Sequence, residues 1–189
     1  MNTAQLTINA DFEHSRKVSA ISGILAGELG YSPPDREIII QAALYHDLGK
    51  TEIPASILNK PGALTREEFE IVKQHTAAGY RQLMDAADAL KIAAVAARDH
   101  HEKIDGSGYM GLTGGAIHPF AKLIAAADVF DALIVKRVYK DPWSLPDIKD
   151  YFRDQSGKQF DGEIVQALMS VLDKVLELYN GSFTDFVRI

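Results

Sequence analysis

The chain has 189 residues, 47% hydrophobic and 24% charged, with a formal net charge of −6 and no cysteine. That length suits one folded domain with a real core, and the missing cysteines exclude disulfides, thiolate metal sites and cysteine nucleophiles. The negative charge argues against a DNA or RNA polymer as partner. No apolar run approaches the roughly 18 residues of a membrane span, and no leader of basic then apolar residues follows Met1, which predicts a cytoplasmic protein.

Helical periodicity dominates and predicts an all-α bundle of about seven or eight helices in a single domain over residues 1–189. The first helix is expected over about Asp11 to Leu29, with Val18, Ile21 and Leu25 as its buried stripe, His14 on the same face and Gly30 as its stop. Ser32, Pro33 and Asp35 then form a helix start. The helix "REIIIQAALYHDLG" is apolar nearly all round, which predicts a central position, an end at Gly49, and His46 and Asp47 in its last turn. A short helical turn and a Pro-Gly break follow. Thr65 and Glu68 form a capping box for a helix with Val72, His75, Gly79 and Leu83 on one face.

An alanine-rich helix is expected from about Ala87 to His100, then an irregular loop over 102–118 holding five glycines. About Pro119 to Val135 forms the next helix, with Leu123, Ile124 and Ala127 inward and Asp128 and Asp131 beside them. A short helix follows the prolines at 142–146. The last helix, about Gly162 to Tyr179, carries a stripe of Ile164, Leu168, Val171, Val175 and Leu178.

Five of the six histidines fall on or beside these apolar faces: His14, His46, His75, His100 and His101. Asp47 and Asp128 join them. A buried carboxylate costs several kcal/mol (roughly) unless it is paired or metal-bound, and helix bundles build metal sites by projecting such ligands inward. A single histidine so placed is more often an ordinary core or surface residue; the convergence of several is what carries weight. Seven donors exceed the need of one tetrahedral ion with an open position. They suit two ions about 3.5–4 Å apart that share a bridging carboxylate and activate a water against phosphorus. Asp47, directly after His46, is the natural bridge. Without thiolates the ions are of a kind held by imidazole and carboxylate: Fe, Mn, Zn, Ni or Mg.

The motifs "HDLGK", "ILNKPGALTREEF", "KQHTAAG", "DHHEKIDGSGYMGL", "AADVFDAL", "RVYK" and "SGKQFD" occur in the order and spacing of a known family. The chain resembles the HD-GYP subfamily of the HD superfamily of metal-dependent phosphohydrolases, over nearly its whole length. The resemblance implies an all-α fold and hydrolysis of cyclic di-GMP to pGpG, in some members onward to GMP. It implies His14, His46, Asp47, His75, His100, His101 and Asp128 as metal ligands, with Asp47 and Lys50 in catalysis. Lys50 would neutralise a phosphate oxygen, and Tyr109, with Gly108 allowing close approach, would cover the nucleotide. Arg137 and Lys140 would grip phosphate, and Asp131 would hydrogen-bond near the ligand. Two divalent ions are expected, Fe or Mn ahead of Ni, Zn or Mg. Members with a third metal carry a glutamate where Ala10 stands here, which argues for two; only an irregular helix start would let Asp11 replace it.

This chain has Met110 where the family's motif has proline, which predicts a more mobile loop and less sharp ligand positioning. Three alternatives stand beside the phosphodiesterase: a phosphohydrolase for another cyclic dinucleotide or nucleotide, a catalytically weak nucleotide-sensing module, and an oxygen-handling di-metal protein. The last has no need of Lys50 or "RVYK". Only 13 residues precede His14, so regulation is expected from a partner or from a longer parent chain. "FTDFVRI" at the end would pack on the core or form a homodimer contact.

Overall fold

The computed structural model describes residues 3–87, 90–136 and 141–180, with side chains from Phe12 onward. Within these residues the chain is all-helical: α1 (Thr3–Glu28), α2 (Pro33–Tyr45), α3 (Ala55–Leu58), α4 (Arg66–Ala86), α5 (Lys91–Asp99), α6 (Pro119–Ile134), α7 (Leu145–Asp154), α8 (Gly162–Ser170) and α9 (Leu172–Asn180). Arg137, Lys140 and the "FTDFVRI" segment lie outside the described residues. Among those described, no helix is long and apolar enough to cross a membrane.

Local sequence accounts for several helix ends. α1 closes on Gly30, whose φ of +75° suits a residue without Cβ. The Tyr31 N–H reaches back to Ala26 and the Gly30 N–H to Gly27, the bond pair of a Schellman stop. Ser32 caps α2, and the Thr65–Glu68 box at α4 is complete in both directions. The sixth histidine, His118, caps α6 by accepting from the Phe120 N–H. α1 starts at Thr3, earlier than expected, so positions 10 and 11 lie inside a regular helix.

Three expectations need correction. The central helix is α6, which buries Leu123, Ile124, Ala126, Ala127 and Phe130 almost completely; α2 buries one face only, through Ile39, Ala42 and Ala43. The last helix is two, because the chain kinks at Val171 (φ −101°, ψ 12°). There the Ser170 hydroxyl bonds the Ala167 carbonyl in its own helix and Glu28 of α1, a backbone-competing bond of the kind that bends helices. Finally, α2 ends at Tyr45 rather than Gly49, and residues Leu48–Glu52 tighten into a 3-10 turn.

Packing explains that early end. Gly49 lies so close to α4 that a Cβ placed on it would stand 2.0 Å from the His75 carbonyl oxygen and 2.4 Å from the Gly79 nitrogen. Gly79 in turn faces Gly49 and Ala97, so two glycines and an alanine set α4, α5 and the turn after Asp47 at near-backbone contact. Gly49 is therefore a contact residue and not a helix stop. Gly49→Ala is expected to cost at least the roughly 1–3 kcal/mol of an overpacked core. Gly115→Ala, with no atom within 4 Å of the added carbon, should be near neutral; urea denaturation of both compares them.

Candidate metal centre

The close packing places three histidines alike. His46 and His100 cap the ends of α2 and α5 and His75 lies midway along α4, yet each has its Nδ1 against the carbonyl three residues earlier: His46 on Ala43 (2.6 Å), His75 on Val72 (2.7 Å) and His100 on Ala97 (2.8 Å). A carbonyl only accepts, so each Nδ1 carries the proton and, in a neutral ring, each Nε2 is left with a bare lone pair. His75 Nε2 and His100 Nε2 nevertheless face each other at 3.4 Å. His14 differs: its Nδ1 meets the Asp131 carboxylate at 2.6 Å and its Nε2 faces Asp128 at 3.1 Å.

Asp47 stands between these rings. Its Oδ1 is 3.4 Å from His75 Nε2 and 3.7 Å from His100 Nε2, while its Oδ2 is 3.2 Å from His46 Nε2 and 3.9 Å from His14 Nε2. Lys50 pairs with the same Oδ2 from one turn along. Two groups result, each with donor atoms within 4.8 Å of one another: Asp47 with His75, His100 and His101, and His14 with His46 and Asp128. His100 and His101 thus share one group. His46 Nε2 and Asp47 Oδ1 are buried without a hydrogen-bond partner. Unpartnered acceptors buried among bare imidazole nitrogens fit a divalent cation.

The electrostatics agree. Burial penalises the Asp47 charge, yet positive charge at His46, a proton or a metal ion on its Nε2, and at Lys50 holds its carboxyl well below the usual range. Burial likewise opposes ionisation of Asp128, but the hydrogen bond from His14 keeps it charged. Burial, then His100, brings His75 down to about 4, and the same causes lower His101, so both rings are neutral at pH 7, the form in which an imidazole can bind a metal. Burial also works against a charge on His14, but Asp128 and Asp131 outweigh it and push its pKa up to about 9. A field that holds a proton so firmly also draws a metal cation.

Tyr109 lies beside this cluster, tilted over His101 with ring centroids 4.7 Å apart, and edge-on to Phe69 of α4. Its loop is held by a residue that motif reading overlooked. Glu102, 4% exposed, accepts from the Met110 N–H (2.7 Å) and the Leu112 N–H (2.8 Å). Gly108 lets the loop fold onto it, since a Cβ there would come within 2.5 Å of Glu102 Cα. Ile104 and Asp105 bond the backbone of Gln159 and Lys158, which is how the "SGKQFD" segment braces the loop. The signal for Glu102 was an acid next to paired histidines at the start of a loop short of acceptors.

Met110 therefore gains an N–H bond that proline lacks, which offsets the looseness expected of the replacement. Asp131, expected near the ligand, instead sits behind His14 at 2% exposure with both oxygens engaged, by His14 and by the Tyr179 hydroxyl (2.8 Å). An open cavity of about 590 Å³ lined by Trp143, Tyr151 and Asp147 shares no residue with either donor group.

Glu102→Ala should speed hydrogen exchange across 106–112, as it strips two N–H groups of their acceptor at roughly 1–3 kcal/mol each. Met110→Pro should show a smaller change in the same direction. Unaltered exchange in Glu102→Ala would remove the latch from this account.

The HD domain family profile matches residues 1–164. The cyclic di-GMP phosphodiesterase response regulator RpfG of Xanthomonas campestris is 42% identical over 155 residues, covering 81% of this chain and 41% of that protein. The 3'3'-cGAMP-specific phosphodiesterase 2 of Vibrio cholerae is 37% identical over 167 residues, covering 87% and 32%. This chain thus spans less than half the length of these curated relatives. Bd1817, a HDG"Y"P protein from Bdellovibrio bacteriovorus, superimposes with a TM-score of 0.69 at 24% identity over 86% of this chain and 52% of that one, a likeness of fold. The HD domain implies divalent metal binding, and the two His/Asp groups are clusters of a kind that can hold such ions. By profile, fold and motif order the chain belongs to the HD domain family, with the HD-GYP pattern its sequence implied.

Proposed function

We propose that this chain is a metal-dependent cyclic di-GMP phosphodiesterase, hydrolysing the cyclic dinucleotide to pGpG and, where the site admits the linear product, to GMP. The observation that carries the reading is Asp47, whose two oxygens face different histidine groups, as a carboxylate shared by two ions would. His14, His46 and Asp128 would hold one ion, and His75, His100 and His101 the other, with Asp47 common to both. Fe or Mn is favoured, with Ni, Zn and Mg compatible with the same donors. When bound, such ions supply Lewis acidity toward a phosphoryl oxygen and lower the pKa of water.

The remaining work falls to the chain. Asp47 stays ionised under the field of His46 and Lys50, so it is an anionic ligand at neutral pH. Lys50, one turn beyond the HD pair, would stabilise negative charge growing on a phosphate oxygen, against which its bond to Asp47 would be exchanged. Tyr109 keeps its proton, since burial pushes its phenol up to about 12, and would act as a neutral donor and a flat wall against a base. Gly108 keeps the backbone low enough for that wall to form. Arg137 and Lys140, outside the described residues, are proposed from motif alone as phosphate contacts. Asp131 acts on His14, away from substrate.

A second substrate is favoured by one finding: the Vibrio cholerae relative is named for 3'3'-cGAMP. Both dinucleotides present the same pair of phosphates, so metals and Lys50 do not separate them. Protein loaded in turn with Mn and Fe should convert cyclic di-GMP to pGpG, read by ion-exchange chromatography, with 3'3'-cGAMP in parallel. Asp47→Asn should reduce turnover to background. Nucleotide binding without cleavage under every ion would turn the reading toward a sensing module.

A further inference from the structure

Among these histidines His14 is held by different means from His46, His75 and His100. His46, His75 and His100 are oriented by carbonyls of their own helices, which stay in place while the helix does. His14 is oriented by a side chain from another helix, Asp131 of α6. A carboxylate turns about its last bond, so one bond to Oδ2 does not fix its plane. The second oxygen settles that: the Tyr179 hydroxyl of α9 donates to Asp131 Oδ1 at 2.8 Å.

Tyr179 is itself fixed from two sides. Its ring lies near Phe130 of α6, with centroids 6.3 Å apart, and the Lys17 ammonium stands 5.2 Å from the ring centroid. Lys17 is three residues after His14 on α1, so the turn of α1 that carries the ligand also grips the tyrosine. Burial and the neighbouring Asp131 charge push the phenol up, which keeps it a donor.

We infer that Tyr179 is a positioning residue for the His14–His46–Asp128 metal position, acting through Asp131, and that the other position does not depend on it. The inference rests on the two-ion reading above. Orienting partners of this kind typically change metal affinity by about 10–100-fold. The two positions should therefore differ in their sensitivity to α9, although they share Asp47.

The full chain as wild type, Tyr179→Phe and Leu178→Ala tests this. Each is titrated with Mn²⁺, free and bound ion are followed by electron paramagnetic resonance, and retained metal is counted by elemental analysis after gel filtration. Wild type should retain two ions. Tyr179→Phe keeps the ring and its packing but loses the donor; it should retain one ion and bind the second about ten-fold or more weakly. Leu178→Ala opens a cavity in the same helix; it should lower the thermal midpoint and still retain two. The inference is overturned if Tyr179→Phe keeps both ions at wild-type affinity, or if it loses both together. It is also overturned if Leu178→Ala loses the second ion as readily, which would make helix packing the cause. A wild type that holds fewer than two ions would remove the two-ion reading first, and this inference with it.

Discussion

The structure turns on one buried anion. Asp47 is placed among imidazole nitrogens whose protons point the other way, so the carboxylate faces lone pairs where it would ordinarily find donors. Lys50 relieves this on one oxygen; Oδ1 has no partner. Such an arrangement opposes folding unless a cation enters, because acceptors crowded together at low dielectric repel and cannot be rehydrated. Metal binding and the stability of this region are in that sense the same quantity. Everything that brings the rings so near, above all the glycine contact between the turn after Asp47 and α4, works against the mutual repulsion of these acceptors, which a cation would relieve.

That contact also separates what sequence could and could not disclose. Helix starts were legible because caps are local: the Thr65–Glu68 box and the Ser32 cap need only their own few residues. The stop at Gly30 is likewise local, and the buried stripes of α1 and α6 follow from periodicity. The end of α2 was not legible, since Gly49 reads as a terminator until His75 and Gly79 are seen against it. The break at Val171 has the same origin in a distant residue: Ser170 reaches Glu28 across 142 positions. Propensity describes a residue with its neighbours in sequence, and these outcomes were decided by neighbours in space.

The candidate site divides along the same line. Metal-ligand residue types announce themselves, because histidines and aspartates on apolar stripes are costly without a purpose. Their supports do not. Glu102 is one acid in a loop, and its role appears only when two backbone N–H groups point at it. The resemblance puts Asp131 near the ligand without saying what orients it. The helix instead directs it behind His14, where Tyr179 closes the chain of bonds.

Net charge adds a constraint on what can reach the centre. The chain is acidic overall, and Asp47, Asp128 and Asp131 are all held at one place, so the bare site would repel a dianionic dinucleotide. In the proposed reading two divalent cations bring more positive charge than these three carboxylates remove, and Lys50 adds to the excess. Affinity for a phosphodiester would then be a property of the loaded centre and not of the surrounding surface. In that reading selection between dinucleotides would come from groups that touch bases, a part for which Tyr109, beside His101 on its Glu102-braced loop, is the candidate. In this chain the loop is tied through the Met110 N–H, a bond that the motif's proline could not form. In the proposed reading base recognition would thereby be tied to a single buried carboxylate adjoining His101, joining specificity to the metal centre through one peptide bond.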